Sequence, residues 1–540
     1  MISTIIIIAS TLLYLVLTRH LLVDIITLLM GCFLCKTSNN YDDIEDENSC
    51  TGSCSNIMNS NIQKIINDNQ SNKSLIQNII KNPSNIYDVY FMDDEQPKIL
   101  GEGQNGYVKM IIHQKSLRQF ALKTIYKCKF LSDDITSIRN EIEIMSSIDH
   151  PNILKLYEYF ETDDCIYLVL HLCHGGDLFE RIINRSRLSE KLSAKYTLQM
   201  LSAIKYLHNH NIVHRDLKLE NFLLDTNDDD CGIKLTDFGY SRYLDELKLL
   251  RDSVGTVYYA SPEVFRQKGV TEKVDIWSIG VIVYMMLSGN PPFKGNDSRD
   301  IINNIQRCRY VFHSCLFRNV SNEAKDFIKS CLQVNPLKRP SATDLMKHSW
   351  FDKLKQEQDS IPNSSQKLTT VGFKLKEFEK KSLIIKTIAK VLAYTLNLDQ
   401  MKELHKVFAE LDKKRNGEIS CNELKHFLLA DKDYEELNFE NLFKNCTFED
   451  YESVKYTEFI AAILSKGSIN ESNFLLAFEK LSLGSNFITK DGICSLLGKD
   501  SSEEVVKYMF DEANNISPLT PSLSRISFDK FSSIINQGLE

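Results

Sequence analysis

Apolar and polar positions change rhythm several times along the chain, and each change marks a boundary. Ile2 to Met30 is almost continuously apolar, broken by Arg19, His20 and Asp24. Residues 31–88 are rich in Asn, Ser, Asp and Ile and poor in large aromatics, which predicts a mobile arm with room for one short helix. Short alternating apolar runs begin near Val89 and predict strands. After Asp177 the spacing becomes helical and stays so to Trp350-Phe351. A β-rich part followed by a larger α-rich part predicts a two-lobed α+β domain over residues 89–351. Residues 352–373 predict a polar linker containing Pro362. From Lys374 a stripe of Leu375, Phe378, Leu383, Ile388 and Leu392 predicts one helix over 374–396. Ile419-Ser420, Val454-Lys455 and Ile488-Thr489 each precede a helical stretch. That recurrence predicts an all-α repeat of helix–loop–helix units over 397–540.

Composition narrows the classes. With 540 residues the chain exceeds one core, and 43% apolar with 25% charged residues is ordinary globular material. A net charge of −8 argues against nucleic-acid binding, which needs a basic surface to displace counterions. Fourteen scattered cysteines fit free thiols in a reducing compartment. Cys50 and Cys54 have no second pair at zinc-site spacing.

The chemistry lies in four ordered motifs. Gly101-Glu102-Gly103-Gln104-Asn105-Gly106-Tyr107-Val108 is a glycine-rich turn whose backbone can fold closely over phosphate oxygens. Lys123 follows at the distance of a third strand, and Glu141, on a helix predicted over 138–148, is its candidate counter-charge. His214-Arg215-Asp216-Leu217-Lys218-Leu219-Glu220-Asn221 and then Asp237-Phe238-Gly239 complete the set. In-line phosphoryl transfer from ATP needs a carboxylate near the attacking hydroxyl, cations on the phosphates and oxygen ligands for Mg²⁺. Asp216 can supply the first, Lys123 and Lys218 the second, and Asn221 with Asp237 the third.

Over residues 90–351 these motifs resemble the eukaryotic protein kinase superfamily, which implies a bilobal kinase fold with ATP and Mg²⁺ as cofactors. The resemblance implies a nucleotide pocket that also includes Leu170, Cys173 and Asp177. It pairs Glu263 of Ser261-Pro262-Glu263 with Arg339, and sets Asp275-Ile276-Trp277 behind the catalytic loop. Lys218 and Thr256 resemble serine/threonine kinases. Asp177 and Glu220 sit where related kinases bind an arginine upstream of the phosphoacceptor, implying protein substrates with upstream basic residues. Asp252, four residues before Thr256, is expected to stand in for an activating phosphate on Arg215.

Kinase, then helix, then four helix–loop–helix units resembles the calcium-dependent protein kinases of plants and protists. Asp149-His150-Pro151-Asn152-Ile153, Gly255-Thr256-Val257-Tyr258-Tyr259 and Tyr456-Thr457-Glu458-Phe459-Ile460-Ala461-Ala462 carry the likeness. The family pattern implies an EF-hand-like, calmodulin-like tail, with a junction helix at Lys374–Tyr394 that occludes the substrate cleft until calcium withdraws it. An EF-hand loop needs oxygen ligands at positions 1, 3, 5, 7, 9 and 12. The Asp412–Glu423 loop offers Asp412, Asn416, Glu418, Ser420 and Glu423 as a possible calcium set, with Lys414 at position 3 as an intruding cation. The second loop keeps Glu458 but starts at Thr447 and has Glu452 in place of glycine. The third has Leu481, Leu483 and Gly492 at ligand positions. The fourth ends in Lys530 after an insertion around Pro518 and Pro521. Calcium is therefore expected at the first loop if anywhere.

Met30-Gly31-Cys32-Phe33-Leu34-Cys35-Lys36 resembles a lipidation start, with myristate on Gly31 and palmitate on the cysteines. It requires that the mature chain begin at Met30. The competing reading is a membrane segment over Ile2–Met30, opposed by Arg19, His20 and Asp24. Both put the kinase at the cytosolic face of a membrane; a soluble protein is the third reading. Two rivals to the overall reading are a pseudokinase scaffold, opposed by the intact motif residues, and a kinase whose tail answers to a protein partner.

Overall fold

The strand period before Asp177 and the helical period after it produce two lobes. In the computed structural model, which describes residues 81–92, 98–103, 106–129, 132–229, 231–244, 256–266, 269–352, 354, 365–428, 453–497, 503–516 and 525–539, the small lobe is a six-stranded antiparallel sheet. Its strands are β1 (Tyr90–Phe91), β2 (Ile99–Gly103), β3 (Gly106–His113), β4 (Gln119–Tyr126), β5 (Leu156–Glu161) and β6 (Cys165–Leu170). They run in the order β1-β3-β4-β6-β5, with β2 paired to β3. The helix Ser132–Ser147 packs Ile138, Ile142 and Met145 into this lobe's core. The large lobe is built on the helices Glu190–Asn209 and Lys273–Ser288. In the latter nearly every residue is buried, and Trp277 stacks on Phe293 at 5.5 Å. All described residues belong to one unit, Ile65–Glu540. The apolar start, the Met30–Lys36 motif, Gln104, Asn105, Asp252, Gly255, Thr447, Glu452, Pro518 and Pro521 lie outside the described residues.

The tail corrects two expectations. The chain is already helical from Ser365, inside the expected linker, and the expected single helix is two: Ser365–Lys380 and Leu383–Thr395. They part at Ser382, whose extended backbone (φ −66°, ψ 158°) redirects the chain. The bend lets Ile384, Ile388, Val391 and Leu392 enter the centre of the tail, among the helices Tyr456–Ile463, Glu471–Ser482, Glu503–Ile516 and Phe528–Gly538. The apolar stripe is thus buried within the tail itself. The recurrent apolar–polar pairs are short strands that close the loops in twos: Ile419 opposite Val454, and Ile488 opposite Ile526.

The tail also grips the kinase. Arg118 donates to the carbonyls of Thr395 and Leu396, satisfying the end of the Leu383–Thr395 helix. The Tyr394 hydroxyl donates to the Leu156 carbonyl, and Lys155 Nζ lies 3.7 Å from the centre of the Tyr394 ring. Glu479 lies 2.8 Å from His113, Lys480 lies 3.2 Å from Glu158, and Asp149 accepts from Thr457 N and Oγ1, each at 2.8 Å.

Candidate active site

β4 lies between β3 and β6, with Lys123 opposite Val108 and Leu168. Its ammonium reaches Glu141 Oε1 at 2.7 Å and Asp237 Oδ1 at 3.5 Å. Burial alone would lower the lysine's pKa, but the two carboxylates outweigh it and hold it above the ordinary value. The same ammonium, against some desolvation, holds Asp237 below the usual carboxylate range. Asp237 is 41% exposed, so its carboxylate is available to a further cation.

The catalytic-loop motif folds around Asp216, which is only 4% exposed. Lys218 Nζ stands 2.7 Å from its Oδ2, Thr256 N donates to Oδ1 at 3.1 Å, and Asn221 Nδ2 donates to its carbonyl at 2.8 Å. Arg215 and Asp237 both have left-handed backbones (φ 72° and 66°), strained for residues with a Cβ. The loop holds that conformation because buried Asp275 accepts from His214 N at 3.0 Å, Arg215 N at 2.9 Å and His208 Nε2 at 2.9 Å. Below it, Glu263 and Arg339 form the expected pair through two bonds of 2.6 and 2.7 Å, with the guanidinium 5.0 Å from the Trp277 ring. Removing one partner strands a buried charge. Glu263→Ala is expected to destabilise the large lobe by about 3–5 kcal/mol, read by denaturant unfolding; a change under about 1 kcal/mol would contradict this.

Gly101, Glu102 and Gly103 lie in β2, and Gly106, Tyr107 and Val108 lie in β3, forming a hairpin above Lys123. Gly106 is required by packing as much as by ligand approach, since a Cβ there would sit 1.7 Å from the Thr124 carbonyl oxygen. Leu170 is buried at the end of β6, opposite Ala121 and Leu156, and Cys173 is half-buried in the segment leading to the large lobe. Asp177 caps the helix Leu178–Arg185 by accepting from Glu180 N at 2.8 Å, while Glu220 accepts from Tyr259 at 3.4 Å. Each acid retains acceptor capacity beyond that bond.

The tail loops differ from one another in what faces their acids. In the first, Asp412 accepts from Asn416 N at 3.0 Å and Gly417 N at 2.8 Å, and Glu423 from Lys414 N at 2.9 Å and Ser420 N at 3.0 Å. Burial pushes the Asp412 carboxyl up to about 6 despite those bonds. Glu418 lies 3.6 Å from His210 and Ser420 ends the short strand, so all five expected ligands belong to one loop. That loop also touches the kinase: Lys205 and Ser202 donate to the carbonyls of Lys414 and Arg415. Gly417, at φ 79°, packs so closely on His150 that a Cβ would lie 2.2 Å from the ring.

In the second loop Glu458 is buried and paired with Lys390 of the central tail helix at 3.0 Å. In the third Leu481 is buried and Leu483 takes a left-handed backbone at φ 51°, ending the helix. In the fourth Lys530 turns its buried ammonium onto Asn514 Oδ1. An internal ammonium thus faces oxygen acceptors in the second and fourth units. The sequence reading missed Lys390 and Lys205; the available signal was a lysine within the otherwise apolar run Ile388-Ala389-Lys390-Val391-Leu392.

A buried carboxylate paired with one ammonium, an amide bonded to its backbone, and a second carboxylate paired with another ammonium are the equipment for transferring a phosphoryl group to a hydroxyl. Comparison with known proteins agrees. Residues 95–351 match the protein kinase domain. Calcium-dependent protein kinase 5 of Plasmodium falciparum is 35% identical over 516 residues, covering 91% of this chain and 88% of the relative. Calcium-dependent protein kinase 4 of Plasmodium berghei is 34% identical, covering 76% and 78%, and calcium-dependent protein kinase 9 of Arabidopsis thaliana 32%, covering 82% and 81%. The chain is a serine/threonine protein kinase that uses ATP and Mg²⁺, and it belongs to the calcium-dependent protein kinase family.

Proposed function

We propose that this kinase phosphorylates serine or threonine hydroxyls that follow a basic residue, with Asp216 orienting the hydroxyl and calcium acting through the Asp412–Glu423 loop alone. The carrying observation is the pairing of Asp216 with Lys218 at 2.7 Å beside the Lys123–Asp237 pair. Lys123, held by Glu141, would bind the nucleotide's phosphates. The Asn221 side-chain oxygen and the Asp237 carboxylate would hold Mg²⁺, which when bound neutralises charge on phosphate oxygens. Asp216 would accept a hydrogen bond from the hydroxyl, with the Lys218 ammonium beside that carboxylate at 2.7 Å. Burial opposes Lys218's charge, but the bond to Asp216 holds its pKa above the ordinary value.

Glu220 and Asp177 support the basic preference, since both are partly exposed acids near the catalytic loop. Glu220→Gln is expected to narrow the preference for an arginine-containing over an alanine-substituted peptide by about tenfold, equivalent to 1.4 kcal/mol. An unchanged ratio would remove Glu220 from this role.

Calcium is assigned to the first loop because the Lys390 and Lys530 ammonium groups hold the second and fourth units and Leu481 fills the third. Transfer measured with free calcium clamped low and then high is expected to rise in the native chain and to stay level in Glu423→Gln. A response surviving Glu423→Gln would move calcium elsewhere. A second reading, control by a protein partner, is favoured by Lys205 lying against the first loop, and a native rate indifferent to calcium would select it. Membrane attachment rests on Gly31, Cys32 and Cys35; incorporation of labelled myristate lost in Gly31→Ala would support it, and labelling that persists would reject it.

A further inference from the structure

Three side chains with metal-ligating atoms converge beside the segment that joins the lobes. His171 and Cys173 follow β6, and Asp225 follows the strand Phe222–Leu224 of the large lobe. One ligand atom from each lies within 4.8 Å of the other two. Asp225 Oδ1 stands 3.9 Å from His171 Nε2 and 3.9 Å from Cys173 Sγ. The edges of a zinc tetrahedron, from bonds of about 2.0–2.3 Å, are about 3.3–3.6 Å, so the two 3.9 Å edges at Oδ1 would contract by about 0.3–0.6 Å and the His171–Cys173 edge, within 4.8 Å, would close with them.

A second observation points into the same place. His171 Nε2 is buried and has no hydrogen-bond partner among the described residues, and 3.9 Å to a carboxylate is too far for one. Its other nitrogen, Nδ1, lies 3.4 Å from the Tyr157 hydroxyl, the kind of outer contact that orients a ligating imidazole. The two oxygens of Asp225 have separate neighbours. Oδ2 is 3.8 Å from Lys234 Nζ, whose ammonium is engaged with the Pro151 carbonyl at 2.5 Å, while Oδ1 faces the histidine and the cysteine.

We propose that His171, Cys173 and Asp225 form a binding site for a divalent ion of the zinc class. One nitrogen, one sulfur and one oxygen donor suit zinc and disfavour magnesium and calcium, which take oxygen ligands. On binding, the Cys173 S–H bond breaks, its proton passes to solvent, and the Sγ–metal bond forms without any change in oxidation state. Thiolate and carboxylate together balance the ion's two charges. Three protein ligands leave a fourth position for water. Because two ligands sit between the lobes and the third on the large lobe, a bound ion ties the connecting segment to that lobe.

The test uses the full, metal-stripped chain titrated with Co²⁺. A thiolate-to-cobalt charge-transfer band is expected to saturate at one equivalent, to disappear on adding Zn²⁺, and to be lost in Cys173→Ser and in Asp225→Asn. It is expected to persist in Cys50→Ser/Cys54→Ser. Should a variant fail to fold, the native chain decides: Zn²⁺ is expected to slow iodoacetamide alkylation of Cys173, read by peptide mass spectrometry, by about tenfold. No band, a band surviving Cys173→Ser, or an alkylation rate indifferent to zinc would overturn the site.

Discussion

Asp216→Asn is expected to lower phosphate transfer by about 10²–10⁴-fold while moving stability by less than about 1 kcal/mol. The substitution keeps an acceptor for Thr256 N, which binds Oδ1 at 3.1 Å, so the loop retains its anchor. It removes the charge that faces Lys218 at 2.7 Å and the carboxylate that would receive the hydroxyl's hydrogen bond. The asparagine should leave the KM for ATP close to native, because the nucleotide would be held by Lys123, Asn221 and Asp237. The measurements are initial rates on an arginine-containing serine peptide and a thermal melt of the same preparation. Transfer within about tenfold of native would show that Asp216 does not position the acceptor.

Lys390→Met should be the most damaging single change in the tail. Lys390 and Glu458 are each about 2% exposed and lie 3.0 Å apart, so removing the ammonium takes the counter-charge from a buried carboxylate that otherwise accepts from Lys455 N at 3.2 Å. Breaking such a pair from one side costs about 3–5 kcal/mol, whereas replacing both partners with apolar residues of similar volume is often neutral. Lys390→Met/Glu458→Leu is therefore expected to recover most of the loss. Denaturant unfolding and limited proteolysis of the full chain would report it. The damage should spread to the kinase, because the same helix carries Tyr394 to the Leu156 carbonyl and ends against Arg118. A single variant within about 1 kcal/mol of native would mean that the pair is hydrated and that Glu458 remains available to a metal ion.

The two ends of this chain's chemistry were legible to different degrees. Phosphoryl transfer needs a few residue types at positions set by short loops, so Asp216, Lys218 and Asn221 could be read together from one run of eight residues. Lys123 and Glu141 could be paired because a buried lysine demands a counter-charge, and the 2.7 Å contact meets that demand. Glu263 with Arg339 was legible only through resemblance, being separated by most of the large lobe. The tail was harder. Its repeats were visible, since an apolar residue before each helix is a local pattern, but the break at Ser382 was not. A continuous apolar stripe is compatible with one helix or two, and only the packing of Ile384, Ile388 and Leu392 among four other helices decides between them.

Sequence alone therefore determined the fold class, the reaction and the residues of the catalytic loop, because those rest on local spacing and on the chemistry of phosphate. It also determined that Leu481, Leu483, Gly492 and Lys530 are poor calcium ligands, a matter of donor type. Tertiary structure decided where each remaining charge finds its partner. It turned Lys390 onto Glu458, set Lys205 on the carbonyl of Lys414, and packed Gly417 against His150. It also brought His171 and Cys173 within reach of Asp225, more than fifty positions away in the chain. The physical reason is that hydrogen bonds and ion pairs act over a few ångströms in space whatever their separation in sequence. A local pattern names the groups that need partners, and the packed chain chooses among them.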